Sequence, residues 1–195
     1  TGITGSSDLP VMNAFQTEYA GASSDCFVTK FSEDGQNILF STFLGGTGHD
    51  YAHTMSIDTN GRLVISGSTL STDFPILNPH QDTHAGAYDI FISLFETDAQ
   101  SLLFSTYLGT LGIDYGQCVA FDSQGNILLT GVTQDGELAT EGVYQDEYGG
   151  GSEDAFLTKF DKNGTLVFFT FLGGNEWDWG DDLMVDSEDN IVITG

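Results

Sequence analysis

The stretch LFSTFLGGTGHDYAHTMSIDTNGRLVISG, Leu39 to Gly67, decides the fold because the chain carries it three times. It returns as LFSTYLGTLGIDYGQCVAFDSQGNILLTG at Leu103 to Gly131 and as VFFTFLGGNEWDWGDDLMVDSEDNIVITG at Val167 to Gly195. Matching residues stand 64 positions apart without a gap: Thr42, Thr106 and Thr170; Gly45, Gly109 and Gly173; Asp50, Asp114 and Asp178; Asp58, Asp122 and Asp186. A tandem repeat of this period implies one supersecondary unit used several times.

Each copy opens on large apolar residues alternating with small or hydroxyl ones (Phe40, Thr42 and Leu44 against Ser41 and Phe43), which is strand patterning. A Gly-rich turn and a short run follow, Met55-Ser56-Ile57 or Val119-Ala120-Phe121, closed by Asp58 to Gly61 or Asp122 to Gly125. The Asp side chain accepts backbone N–H bonds in such a turn and Gly supplies the positive φ, so the segment predicts a hairpin. The third copy has Asp189 in place of that Gly. Aspartate tolerates the left-handed region, so the turn is expected to survive.

A second motif precedes each stretch: Asp25 to Phe31, Asp89 to Phe95 and Asp154 to Phe160, with rings two residues to either side of a hydroxyl on one face. Short turns, Glu33-Asp34-Gly35, Thr97-Asp98-Ala99 and Lys162-Asn163-Gly164, join it to the next strand. Four strands in two hairpins per repeat, with no helical periodicity, predict an all-β chain. Recurring four-stranded antiparallel units of about 64 residues fit a β-propeller, whose blades bury both faces against their neighbours. The repeats run 1–65, 66–129 and 130–193, with 194–195 opening the next and no separate second domain. A propeller closes with roughly four to eight blades. The chain is therefore expected to be part of a larger ring, an excerpt of a longer protein, with any targeting signal outside the three repeats.

The 195 residues include 29 Asp and Glu against 4 Lys and Arg, a formal net charge of −25. Such a surface repels phosphate, which argues against nucleic acid, and no apolar run is long enough for membrane insertion. It suits a salty or divalent-rich exterior, and calcium is the ion that carboxylates prefer. Cys26 and Cys118 fall at unrelated repeat positions, so no disulfide recurs with the repeat. The connectors 6–24, 68–88 and 132–153 are long for a β domain, and such loops carry contacts.

The order of motifs, Gly-x-Thr-x-Ser-x-Asp-Phe-Pro through Phe74-Pro75, then Asp-x-Phe-x-x-Lys-Phe, Ser-Thr-x-Leu-Gly-Gly-x-Gly-x-Asp and Asp-x-x-Gly-Asn-x-x-x-Thr-Gly, resembles the bacterial and archaeal β-propeller repeat known as the SBBP family. The resemblance covers essentially the whole chain; Ala139 in place of Pro, Thr110 in place of the second Gly and Asp189 depart from it. It implies a propeller of large secreted or surface-anchored proteins, without established catalytic residues. By analogy with other propellers, the run ending at Asp58 is the innermost strand, Leu63 to Ser66 the next, Ile90 to Phe95 the third and Leu102 to Leu108 the outer edge. That register makes two whole blades flanked by two complementary half-blades.

Several residues invite chemistry. Asp50, Asp114 and Asp178, followed by Tyr51, Tyr115 and Trp179, would form a ring of carboxylates near one mouth, or else accept backbone bonds. Asp58-Thr59-Asn60-Gly61 looks like a calcium loop but lacks the later bidentate Glu. His49 with His53 and His80 with His84 have zinc-pair spacing, yet neither pair recurs. Trp177, Trp179, Tyr51 and Tyr115 would stack on a sugar or pack between blades. Asn163-Gly164-Thr165 is a glycosylation sequon in a turn. No nucleophile, phosphate-loop or dinucleotide motif is present. No residue is assigned a catalytic, cofactor-binding or metal-binding role, and no cofactor is expected beyond calcium. The expected function is a non-enzymatic extracellular or cell-surface scaffold for adhesion, contacting further domains of its parent chain and protein or glycan ligands at its loops. The alternatives are a carbohydrate-active or other hydrolytic propeller, and a fibre unit that self-assembles head to tail through open blade edges.

Overall fold

A computed structural model describes residues 1–21 and 23–195; position 22, in the first connector, lies outside the described residues. Thirteen strands and no helix occur among them: β1 Gly2–Thr4, β2 Asp25–Phe31, β3 Ile38–Leu44, β4 Asp50–Ile57, β5 Leu63–Thr69, β6 Asp89–Phe95, β7 Leu102–Leu108, β8 Asp114–Phe121, β9 Ile127–Thr133, β10 Asp154–Phe160, β11 Leu166–Leu172, β12 Asp182–Val185 and β13 Ile191–Thr194. They form four antiparallel sheets, β1-β2-β3, β4-β5-β6-β7, β8-β9-β10-β11 and β12-β13, referred to below as blades one to four. The innermost strands β4, β8 and β12 stand side by side, with the Thr54 hydroxyl accepting the Val119 N–H at 3.1 Å between β4 and β8. This is the strand order that the propeller reading requires.

Alternation explains why the middle strands are buried on both faces. Along β5, Val64 packs towards blade three while Leu63 and Ile65 pack towards blade one. Two cores result. One joins blades two and three through Ile90, Ile92, Phe104, Phe156 and Phe169, and the other joins blades one and two through Val28, Phe40, Ile65, Phe91 and Phe95. The Phe156 and Phe169 rings stack with centroids 4.9 Å apart, and each such fully buried ring contributes about 2–3 kcal/mol.

The turns close as their residues dictate. Asp58 Oδ1 accepts the N–H of Asn60 at 2.9 Å and of Arg62 at 2.8 Å. Asp122, Asp161 and Asp186 repeat the arrangement. Asp189 adopts φ 62° as expected, and its carboxylate does more than tolerate the turn. It crosses to the next blade, accepting the Ser123 N–H at 2.9 Å and the Ser123 hydroxyl at 2.6 Å. One glycine position is compulsory for another reason: a Cβ on Gly131 would collide with the Tyr115 carbonyl, where β8 bulges between Gly116 and Cys118.

The connectors do not hang free, and the outer strand is not an open edge. In blade two the connector leaves β5, bridges to β7 at Leu77 with Ser105 and at Gln81 with Tyr107, and only then enters β6. Met12 with Ser41 and Gln16 with Phe43 repeat this in blade one, and in blade three the Thr140 and Phe171 N–H groups bond to Phe169 and Gln145 carbonyls at 3.1 and 3.0 Å. Each outer strand therefore has its unpaired backbone groups covered, which is how sheet edges avoid association. Tyr107 fastens the strap: its buried hydroxyl donates to the Ser71 carbonyl at 2.7 Å and accepts the Phe74 N–H at 3.0 Å.

Candidate functional site

The end of the blades at which β4 and β8 begin gathers most of the polar and aromatic residues that recur. The Gly-rich turn delivers the chain from the outer strand of one blade to the innermost strand of the next. A glutamine from the connector fixes that turn, with Gln16, Gln81 and Gln145 Oε1 accepting the N–H of Gly45, Gly109 and Gly173 at 3.1, 3.0 and 3.1 Å. The aspartate four or five residues on then fixes the chain behind it. Asp50, Asp114 and Asp178 Oδ2 accept the N–H groups of Gly46, Thr110 and Gly174 at 2.8, 2.8 and 2.7 Å.

These aspartates therefore act as turn-holding groups rather than as an open ring of carboxylates. Asp50 and Asp114 open strands and are fully buried; Asp50 also accepts the hydroxyls of Thr69 and Ser71. Each has a second acid beside it from the neighbouring blade. The backbone N–H groups of Asp50, Asp114 and Asp178 donate to the carbonyls of Ser24, Tyr88 and Glu153 at 3.0, 2.7 and 2.9 Å, which brings Asp25, Asp89 and Asp154 to the same joints. Those three are also fully buried. Burial pushes the carboxyls of Asp25, Asp89 and Asp154 up, and the charges of Asp50 and Asp178 add to this for Asp25 and Asp154. Asp114 is pushed up to about 6 by burial, against the opposing pull of the Thr133 hydroxyl and the Thr110 N–H.

Above the joints lies an arc of rings, half-buried except for the exposed His53. His49 stacks on Tyr51 at 6.0 Å between centroids, Tyr51 meets Tyr88 at 6.0 Å, Tyr88 meets Tyr115 at 5.5 Å, and His53 meets Tyr115 at 6.0 Å. Tyr88 is held at about 12 by burial and then by the neighbouring Tyr51. The arc continues through Glu153, which sits at the repeat position of Tyr88 and accepts the Trp179 indole N–H at 2.6 Å and the Gln134 amide at 3.0 Å. Trp177 beside it is 66% exposed. The arc thus crosses the joints between blades two and three and between blades three and four.

The remaining candidates disperse. His49 stands 3.0 Å from the Ser24 hydroxyl, whereas His53 turns to Tyr115. His80 packs edge-on against Phe160, and His84 packs edge-on against Tyr107 with Nε2 3.1 Å from the Thr69 carbonyl. Burial lowers the basicity of His53 and His80. Neither zinc-spaced pair converges, and among the described residues no group of three or more His, Cys, Asp and Glu side chains is placed to hold a metal. The Asp58 loop is a hairpin turn whose Oδ2 pairs with the Arg62 Nε at 2.7 Å. Cys26 is buried, Cys118 is half-buried, and both are thiols.

The sheet order, the repeat and the strand-to-strand register define a β-propeller repeat protein. Residues 103–138 match the family model of SBBP, the β-propeller repeat, so the repeat read from the sequence is present in the copy that holds β8 and β9. The chain is also 28% identical over 114 residues to an uncharacterized WD repeat-containing protein of Acanthamoeba polyphaga mimivirus. That similarity takes in 51% of this chain and 8% of the viral protein, so the chain spans a small part of its relative.

Proposed function

We propose that this chain is a non-catalytic interaction scaffold at the cell surface or outside the cell, and that the arc at the blade mouth is its contact face. The observation that carries the reading is the continuity of Tyr51, Tyr88 and Tyr115 across one joint and of Glu153 and Trp179 across the next. Tyr and Trp give large contact area at low entropic cost and are the residues on which binding energy concentrates. The match to a propeller repeat supports the scaffold, since such repeats commonly mediate protein contacts. The acid excess supports an exterior of high ionic strength, where it keeps the chain soluble. Partners are proteins or glycans that accept aromatic stacking at a negatively charged rim.

The reading is tested by probing a glycan array and an array of extracellular-matrix proteins with the labelled chain, its Tyr88→Ala variant and its Trp179→Ala variant. Binding that falls at least tenfold in either variant supports the mouth as the contact face. Equal binding by all three places the contact elsewhere, and turnover of any glycan replaces the scaffold by an enzyme.

A further inference from the structure

We propose that each blade joint is a calcium site, in which the paired aspartates Asp25 and Asp50, Asp89 and Asp114, and Asp154 and Asp178 hold one divalent ion between neighbouring blades.

Three observations carry this. First, the two acids of a joint share one small space. The point where a Cβ on Gly45 would stand is 2.7 Å from Asp50 Oδ2 and 3.2 Å from Asp25 Oδ1. For Gly109 the corresponding distances are 2.7 Å to Asp89 Oδ1 and 3.0 Å to Asp114 Oδ2, and for Gly173 the point is 2.6 Å from Asp154 Oδ1. At Gly45 and Gly109 glycine lets two carboxylates close on the chain from two blades, whereas at Gly173 the atoms that crowd the point are those of Asp154.

Second, part of that oxygen is left without a donor. Asp25 Oδ1 and Asp154 Oδ1 are buried with no hydrogen-bond partner, on residues of 0% exposure, and both face the glycine between the acids. Asp25 Oδ1 also borders the point where a Gly21 Cβ would stand, which lies 3.1 Å from the Gly48 and Ser24 carbonyls. Carboxylate and carbonyl oxygens together are the ligand type of calcium. A buried polar atom without a partner is costly, and a buried anion more so.

Third, the protein brings no lysine or arginine to the joints, and the basic group that bears on Asp89 is the His84 imidazole, whose Nε2 is 3.1 Å from the Thr69 carbonyl. The ion pairs among the described residues are Arg62 with Asp58 and Lys159 with Asp122, both at the hairpin end of the blades, away from the joints, while Lys30 and Lys162 are exposed. Two carboxylates pressed together out of water need a positive charge or a proton between them. Repetition at successive joints makes the device part of the repeat rather than of one loop.

The test uses the intact chain stripped with EDTA in 150 mM salt. Terbium is added first, because an ion in the joints lies beside Tyr51, Tyr88 and Tyr115 and emits when these rings are excited. Sensitised emission displaced by calcium and not by equal magnesium is expected, together with a Tm that rises by several degrees with calcium. Equilibrium dialysis should show one bound calcium fewer in Asp25→Asn, Asp89→Asn and Asp154→Asn alike, with Asp82→Asn on the exposed connector unchanged. Absence of sensitised emission and an unchanged Tm in the parent chain would overturn the proposal without any variant having to fold. Equal calcium loss in Asp82→Asn would reduce it to diffuse attraction by surface charge. Asn variants that melt higher than the parent at pH 7, with no response to calcium, would overturn it in favour of a shared proton.

Discussion

Removing a single oxygen from Tyr107 tests the strapped outer edge. In Tyr107→Phe the ring keeps its place between Phe74 and His84, with centroids at 6.4 and 5.7 Å, so packing is preserved. What disappears is the hydroxyl that donates to the Ser71 carbonyl and accepts the Phe74 N–H, both buried. Leaving two buried main-chain groups unpaired costs roughly 3 kcal/mol in total. For a chain of this length that lowers the Tm by about 6–12 °C. Phenylalanine is already accommodated at the matching Phe43 and Phe171, so steric strain is not a rival cause. Calorimetry gives the shift, and hydrogen exchange at the Phe74 amide locates it. A Tm drop below about 2 °C with the Phe74 amide still protected would show that the connector holds without this clasp, and the reasoning would fail.

Three further outcomes are expected. Phe156→Ala, which empties the core between blades two and three beside Phe169, should cost about 3–5 kcal/mol and move the urea midpoint accordingly. Burial opposes the charge of Asp122, but Lys159 at 2.7 Å and the Asn126 and Gln124 donors outweigh it and hold the carboxyl at about 2. Its folded value is below its unfolded one, so the stability it contributes is present above about pH 4 and is lost as pH falls towards 2. Lys159→Met should move the Asp122 titration upward by NMR; a curve left at its old position would deny the pairing. Asp114 behaves in the opposite sense: its folded value of about 6 lies above the ordinary 3.8, so stability is lost as pH rises between the two. The EDTA-treated chain should therefore gain roughly 1 kcal/mol from this group between pH 7 and pH 5. Asp114→Asn should flatten that part of the gain, and an identical pH profile in the variant would refute it.

What could be read from the sequence was what is local. The Asp58 turn was legible because its carboxylate ties N–H groups only two and four residues on, and the strand patterning around it is equally short in range. The innermost strand, the next, the third and the outer one fall where the repeat suggested, with β5 running on to Thr69. The neighbouring of the second and third strands was legible from the repeat, but the contacts made by the connectors and at the blade joints escaped. The connectors read as loops because their pairing partners, Ser41 and Ser105, lie 28 or 29 positions further along. Asp25, Asp89 and Asp154 read only as strand openers, although their recurrence 24 or 25 residues before Asp50, Asp114 and Asp178 was the available signal. Their meeting depends on the third strand of one blade abutting the first strand of the next. Asp189 looked like a tolerated substitution, since nothing in its own turn points to Ser123. The histidines were misleading because i, i+4 spacing converges on a helix, whereas β4 is extended and bulges between Ala52 and Thr54, beside His53.

The strap across the outer strand also sets an order of events during synthesis. Residues 70–73 bond back to Thr47, Gly48, His49 and Asp50, but the strapping residues 75–88 leave the ribosome before Leu102–Leu108, the strand on which they lie, and lack it while the blade is being made. At ~5–20 residues per second that waiting time is on the order of seconds. Each blade is thus latched only when its last strand arrives, and nascent chains halted before Tyr107 would carry the connector as their most protease-sensitive segment.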